Sequence, residues 1–201
     1  MTKATLVCPM NFLKISIMNK DDTSWYEKIE YSEGMAIEQG DILFDCPYYD
    51  VLSDGINEEI QTKVVEYNVV IVTQSCDIVN NKVDKIFVAP WTYISEVISK
   101  RSEFLKRPMS TKEKKSLFKH LANGVMPSHH ILDKDIEKGL SDYPMIDFSN
   151  AFTISQKTLK STIAKRGYVI RLISPYKEHL SQAFARFFMR VGLPSSLTNP
   201  Y

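Results

Sequence analysis

A chain of 201 residues, 44% hydrophobic and 24% charged, holds enough apolar material for one sizeable core, and no apolar run approaches the about 20 residues of a membrane span. Seven glycines without GxGxxG or GxxxxGK argue against a phosphate loop, and three cysteines without a CxxC pair fit reduced thiols better than a disulfide framework. The net charge of +1 conceals a polarity: residues 20–66 carry thirteen acids against three lysines, a balance of −10, whereas residues 96–120 carry eight bases against three acids, a balance of +5.

The first half reads as β structure. Residues 12–18 alternate as a strand, Gly40-Asp41 opens another over 42–46, and Pro47 stops it. Residues 48–61 read as a polar, acidic loop containing Gly55, and 63–73 as a long strand bent near Tyr67-Asn68. A polar, hairpin-like link at Asn80-Asn81-Lys82 leads to a strand over 85–89 that Pro90 ends.

Helical spacing begins near residue 94 and runs to Pro108 through Ile94, Val97, Ile98, Phe104 and Leu105. Ser110 with Glu113 three residues later is a capping-box signature for a second helix through Leu117, Phe118 and Leu121, stopped by Gly124. Strands return at 129–132, 145–148, 152–154 and 168–173. Ser174-Pro175 then predicts a helix start, with serine as N-cap and proline in the first turn. Leu180, Ala183, Phe184, Phe187, Phe188 and Val191 follow at helical spacing and form a core-facing stripe.

The densest chemistry lies at Gln74, Ser75, Cys76 and Asp77, where the apolar run 69–73 leaves its strand. Cys76 beside Asp77 is a candidate nucleophile if His129 or His130 converges on it; otherwise it is a small thiol at a strand end. Cys8, Cys46 and Cys76 with either histidine would suit zinc in residue type, but the short ligand knuckle of structural zinc sites is missing, so no metal or other cofactor is expected. Lys112, Lys114 and Lys115 on the second basic helix, with Arg186 and Arg190 on the last helix, are candidate phosphate contacts for RNA or DNA, and Arg171, Arg186 and Arg190 are equally candidates for pairing with the acidic first half.

The order Gly40-Asp41-Ile42-Leu43, then Val69 to Ser75, then Val88-Ala89-Pro90-Trp91-Thr92 resembles the central pattern of the MazF/PemK toxin family. In that family Gly-Asp or Gly-Glu opens one strand, a second ends in a serine-containing turn, and a third ends in a Pro-x-Thr corner. The resemblance covers residues 38–95. It implies a small SH3-like β-barrel, and many family members are ribosome-independent mRNA endonucleases. Thr92 matches the threonine that helps position RNA. The family's catalytic arginine precedes the second strand, where residues 62–68 offer only Lys63. Lysine lacks the planar fork that suits a phosphoryl transition state, which moves the reading from nuclease to binding scaffold.

The expected fold is therefore α+β in a single domain: a small SH3-like barrel over about residues 10–92 and 128–173, a basic helical insertion over 94–123, and a C-terminal amphipathic helix over 175–191. The first residues lack the basic, apolar and cleavage regions of a signal peptide, so a cytoplasmic protein without a membrane partner is expected. The expected work is binding a protein or nucleic-acid partner, in the toxin or phage-defence setting the resemblance implies. The alternatives are a metal-independent endoribonuclease using Lys63 and Thr92, a thiol enzyme using Cys76 and Asp77, and a structural subunit whose acidic and basic faces pair in a homo-oligomer.

Overall fold

The structure, a computed structural model, describes residues 24–52 and 61–189. The strand expected at 12–18, Cys8, Gly55, Arg190 and the predicted helix stop at Gly192 lie outside the described residues.

Among the described residues eight strands run in chain order: β1 (Tyr26–Glu30), β2 (Asp41–Leu52), β3 (Gln61–Ile71), β4 (Lys85–Tyr93), β5 (His129–Ile131), β6 (Pro144–Asp147), β7 (Phe152–Ser155) and β8 (Tyr168–Leu172). Five helices accompany them among the same residues: α1 (Ser75–Val79), α2 (Ile94–Phe104), α3 (Thr111–Ala122), α4 (Gln156–Arg166) and α5 (Tyr176–Phe188). The strands form one antiparallel sheet in the order β1-β8-β2-β3-β4-β6-β5, with β7 also on β4.

The α+β class holds, but among the described residues the sheet is open and closes no small barrel. Among the described residues its end strands, β1 and β5, do not pair with each other. Successive residues explain why both faces need cover. Val69 and Ile71 enter one apolar cluster with Ile86, Val88 and Val169, while Val70 and Val72 enter another with Ala89, Trp91 and Ile170. A strand buried on both sides requires a layer on each. Leu159 and Ile163 of α4 and Ile78 of α1 supply the first layer; Leu180, Ala183, Phe184 and Phe187 of α5 supply the second. The basic helices α2 and α3 pack separately on β5 and β6 through Ile94, Leu117, Leu121, Ile131 and Met145.

Both prolines expected to end strands lie inside them. Pro47 pairs with Glu66 within β2, where beyond Ile42 only β3 is a neighbour, so a missing donor is tolerated as on an edge strand. Pro90 pairs with Val69 within β4. The Val72 amide donates to the Phe87 carbonyl at 3.0 Å, so alternate β4 residues direct their backbone groups to β3 and Pro90 directs its nitrogen to the other edge. There β7 ends opposite Val88 and β6 begins opposite Trp91, and the 3₁₀ turn Phe148–Asn150 occupies the interval. The proline nitrogen thus meets a gap in the ladder.

Residues 48–52, expected as loop, extend β2, and the irregularity expected near Asn68 belongs to β2. Pairing shifts between Leu43 and Cys46, Asp45 takes φ +51°, and its amide donates to the Asn68 side chain at 3.1 Å. At the head of β2, Gly40 holds φ +85° with Leu172 packed so closely that a Cβ would lie 3.0 Å from it. The following Asp41 is fully buried. It accepts two bonds from Arg171, at 2.6 and 3.0 Å, and one from the Glu38 amide at 2.9 Å. Arg171 also donates to Glu38 at 2.6 Å. Burial pushes the Asp41 carboxyl up against the downward pull of Arg171.

The capping box at Ser110 and Glu113 is present and starts α3. In contrast, α5 begins at Tyr176 with Pro175 as its cap, and the Ser174 hydroxyl donates to Glu178 at 2.7 Å instead of capping the backbone. The link expected at 80–82 is preceded by the short helix α1, which buries Ile78.

Candidate functional site

An open cleft of about 870 Å³ lies where the β2–β3 ribbon, the middle of β4, the 3₁₀ turn and α2 meet. Ile86 and Val88 of β4 face the core under α4, and period-two alternation puts Pro90 and Thr92 on that same face, where α4 no longer covers the strand. Thr92 therefore reaches the cleft by the geometry of its strand. Asp142 holds the opposite wall in place, because its carboxylate accepts the Ser95 amide at 3.0 Å and caps the first turn of α2.

Three aromatic rings line one end. Tyr48 and Phe152 have centroids 4.8 Å apart, Tyr67 and Phe152 5.7 Å, and Tyr48 and Tyr67 5.9 Å, all in the tilted or edge-to-face range that aromatic rings favour. Tyr67 remains 38% exposed. Four carboxylates, Asp45, Glu66, Glu96 and Asp147, share the lining with one lysine, Lys100. Burial raises the Asp147 carboxyl, but the Ser149 hydroxyl and amide, the Asn150 amide and nearby His129 outweigh it and hold the group below its ordinary range. Asp147 is thus fixed as an anion. Asp45 has Arg166 at 3.6 Å, while Glu66 and Glu96 have no ion-pair partner among the described residues.

The residues singled out in the sequence do not assemble around Thr92. Lys63 is exposed on the outer part of β3, opposite Asp50 and five residues beyond Asn68, a separation of about 16 Å along a strand. Gln74, Ser75, Cys76 and Asp77 lie at the other end of β4, since Thr73 is bonded to Phe87, again five residues or about 16 Å from Thr92. There the Ser75 hydroxyl accepts the Gln39 amide at 3.0 Å and Lys82 pairs with Asp77 at 3.5 Å. Cys76 is exposed, with Gln74 Oε1 at 3.7 Å and Asp77 Oδ1 at 3.8 Å as its hydrogen-bond partners.

Cys46 is buried on β2 against the Thr162 hydroxyl at 4.0 Å, and burial pushes its thiol up to about 11. His129 and His130 line a different depression with His179 and Arg186. Among the described residues no group of three histidine, cysteine or acidic side chains is placed to hold a metal ion. Lys112, Lys114 and Lys115 are all exposed on α3. Of the candidate arginines, Arg171 does pair with the acidic half, through Glu38 and Asp41. No helix among the described residues is long and apolar enough to cross a membrane.

Of the residues singled out in the sequence, Thr92 lines the cleft with its motif neighbours Pro90 and Trp91, whereas the four carboxylates of the lining were not singled out. Asp45, Glu66, Glu96 and Asp147 come from four elements, and the only sequence signal was the excess of acids before residue 66. No family model and no curated protein matches this chain. The MazF/PemK resemblance therefore stands on its short motifs alone, and the chemistry of the cleft carries the functional reading.

Proposed function

We propose that this chain is a binding protein whose cleft receives a cationic segment of a protein partner. The observation that carries this reading is the lining around Thr92: four carboxylates against one lysine, flanked by the Tyr48–Tyr67–Phe152 rings. Carboxylates attract arginine and lysine side chains, and ring faces add a cation–π contribution of about 0.5–2 kcal/mol. A phosphodiester backbone entering the same cleft meets like charge. That charge distribution disfavours the ribonuclease alternative at Thr92, and Lys63 stands too far along β3 to neutralise it.

The test is a titration of the full chain with an arginine- and lysine-rich peptide and, separately, with single-stranded RNA. Peptide binding that weakens with salt and falls about tenfold in Glu66→Gln/Glu96→Gln is expected, the loss of roughly 1.4 kcal/mol corresponding to one or two charge-assisted contacts. RNA cleavage abolished by Lys63→Ala/Thr92→Ala, with no peptide binding, would overturn the reading.

A further inference from the structure

A second depression, of about 250 Å³, lies on another part of the molecule between the end of α3, β5 and α5. Its polar lining has the opposite sign from the cleft. His129 and His130 come from β5, and His179 and Arg186 stand seven residues apart on α5, two turns along one helix face, with Gln182 between them. No carboxylate lines it.

The side chains divide by partner. His129 has the Ser128 hydroxyl at 2.9 Å and Asp147 at 4.0 Å. His130, His179 and Arg186 have no hydrogen-bond or ion-pair partner among the described residues, although His130 stacks on Phe148 with rings 15° from parallel. Burial, with the charges of His179 and Arg186, holds the His130 imidazole down to about 4. Groups that repel one another in this way have converged on a place where an anion would be stabilised.

We propose that this depression binds a small phosphoryl oxyanion, with Arg186 as the fixed cation, His179 at the rim and the His130 ring as a donor at the back. A guanidinium presents paired N–H groups to phosphate oxygens, and imidazoles add single donors. The volume lies below the about 300–1,000 Å³ of sites for drug-sized ligands, which suits inorganic phosphate or a small phosphomonoester and is too small for a nucleotide.

One wall opposes the site. Asn123 and Gly124 close α3, their amides bonded back to the Lys119 and Leu121 carbonyls, so the negative end of that helix faces the depression. An Arg186 side chain that merely complements this helix end is the competing explanation; the Arg186 guanidinium does pack 3.3 Å from where a Gly124 Cβ would stand. The charged and titratable groups on the surrounding elements are Lys112, Glu113, Lys114, Lys115, Lys119 and His120 of α3, His129 and His130 of β5, Asp147 of β6, and Tyr176, Lys177, Glu178, His179 and Arg186 of α5.

The two explanations separate in an NMR pH titration of the imidazole resonances at low salt, run without ligand, with inorganic phosphate and, in a parallel arm, with glycerol 3-phosphate, the affinities being read at pH 7. Saturable binding of either ligand, an upward move of the His130 titration from about 4, and an affinity loss of at least about tenfold in Arg186→Gln are expected. The tighter of the two ligands identifies the source of the phosphoryl group. An unmoved His130 titration in both arms, or equal affinity in Arg186→Gln, overturns the proposal and leaves the cations as complements of the α3 end. Arg186 is exposed, so the variant is expected to fold; His130→Gln, read by the same titration of the other imidazoles, is the second check.

Discussion

The head of β2 and the cleft beyond its bulge use the same residue type in opposite ways. Asp41 is fully buried and every bond it makes is internal: two from Arg171 and one from the Glu38 amide. Twenty-five residues along the chain, on the partner strand, Glu66 faces an open cleft with no cation paired to it among the described residues. The difference teaches that the acidic excess of residues 20–66 is not one surface. Part of it is neutralised inside the fold and fixes how β2 meets β8; the rest is left to act on something outside.

The sharpest way to break this contrast is to remove the cation from the paired side. Arg171→Leu leaves Asp41 buried without its partner, and the loss of one member of a buried pair costs about 3–5 kcal/mol. Urea unfolding of the variant measures it. A loss below about 1 kcal/mol would show that Asp41 escapes to solvent or takes up a proton at little cost, and the contrast between the two regions would disappear.

A smaller effect comes with pH. His130 is held down to about 4 in the folded chain against about 6.5 for an ordinary imidazole, so the unfolded chain binds the proton first. The folded state keeps its full stability above about pH 6.5 and loses up to about 3 kcal/mol from this group as pH falls towards 4. His130→Gln removes that contribution, so the variant's stability profile between pH 6.5 and 4 is expected to be flatter than that of the parent when both are followed by urea unfolding. Identical profiles would remove His130 as the titrating group.

The unpaired side responds in reverse. Replacing both Glu66 and Glu96 with glutamine leaves stability within about 0.5 kcal/mol, because no folded-state ion pair is lost, while affinity for a basic peptide falls about tenfold. A stability loss comparable to that of Arg171→Leu would place these carboxylates in the structural class with Asp41.

What was legible in the sequence follows the same division between local and assembled features. The apolar run at 69–72, the Ser110–Glu113 cap and the part of the α5 stripe formed by Leu180, Ala183, Phe184 and Phe187 depend on neighbours a few residues away and are present, whereas Phe188 is exposed and Val191 lies outside the described residues. The α4 helix was missed because only Leu159 and Ile163 of its residues are buried, although Ser155 caps it and Gly167 at φ +84° ends it. Pro47 and Pro90 were read as stops because the sequence does not show which edge of a strand lacks a neighbour. The cleft was illegible for a stronger reason. Thr92 joins Asp45, Glu66 and Asp147 only through the order in which β2, β3, β4 and β6 pair, and Glu96 through the step from β4 into α2.

The far end of β4 supplies the smallest expected effect. Cys76 carries the one exposed thiol among the described residues, yet its sulfur has only Gln74 and Asp77 as hydrogen-bond partners, and no imidazole is among them. The backbone there is held by other groups: the Ser75 hydroxyl accepts from Gln39, and the Asn80 side chain donates to the Cys76 carbonyl at 2.7 Å. Cys76→Ser keeps the backbone bonds and changes only an exposed atom, so stability should stay within about 0.5 kcal/mol and peptide affinity should not change. Calorimetry on the variant and the parent reads both. A loss of peptide binding in Cys76→Ser would tie the two ends of β4 together, and with that the cleft around Thr92 would no longer be a self-contained site.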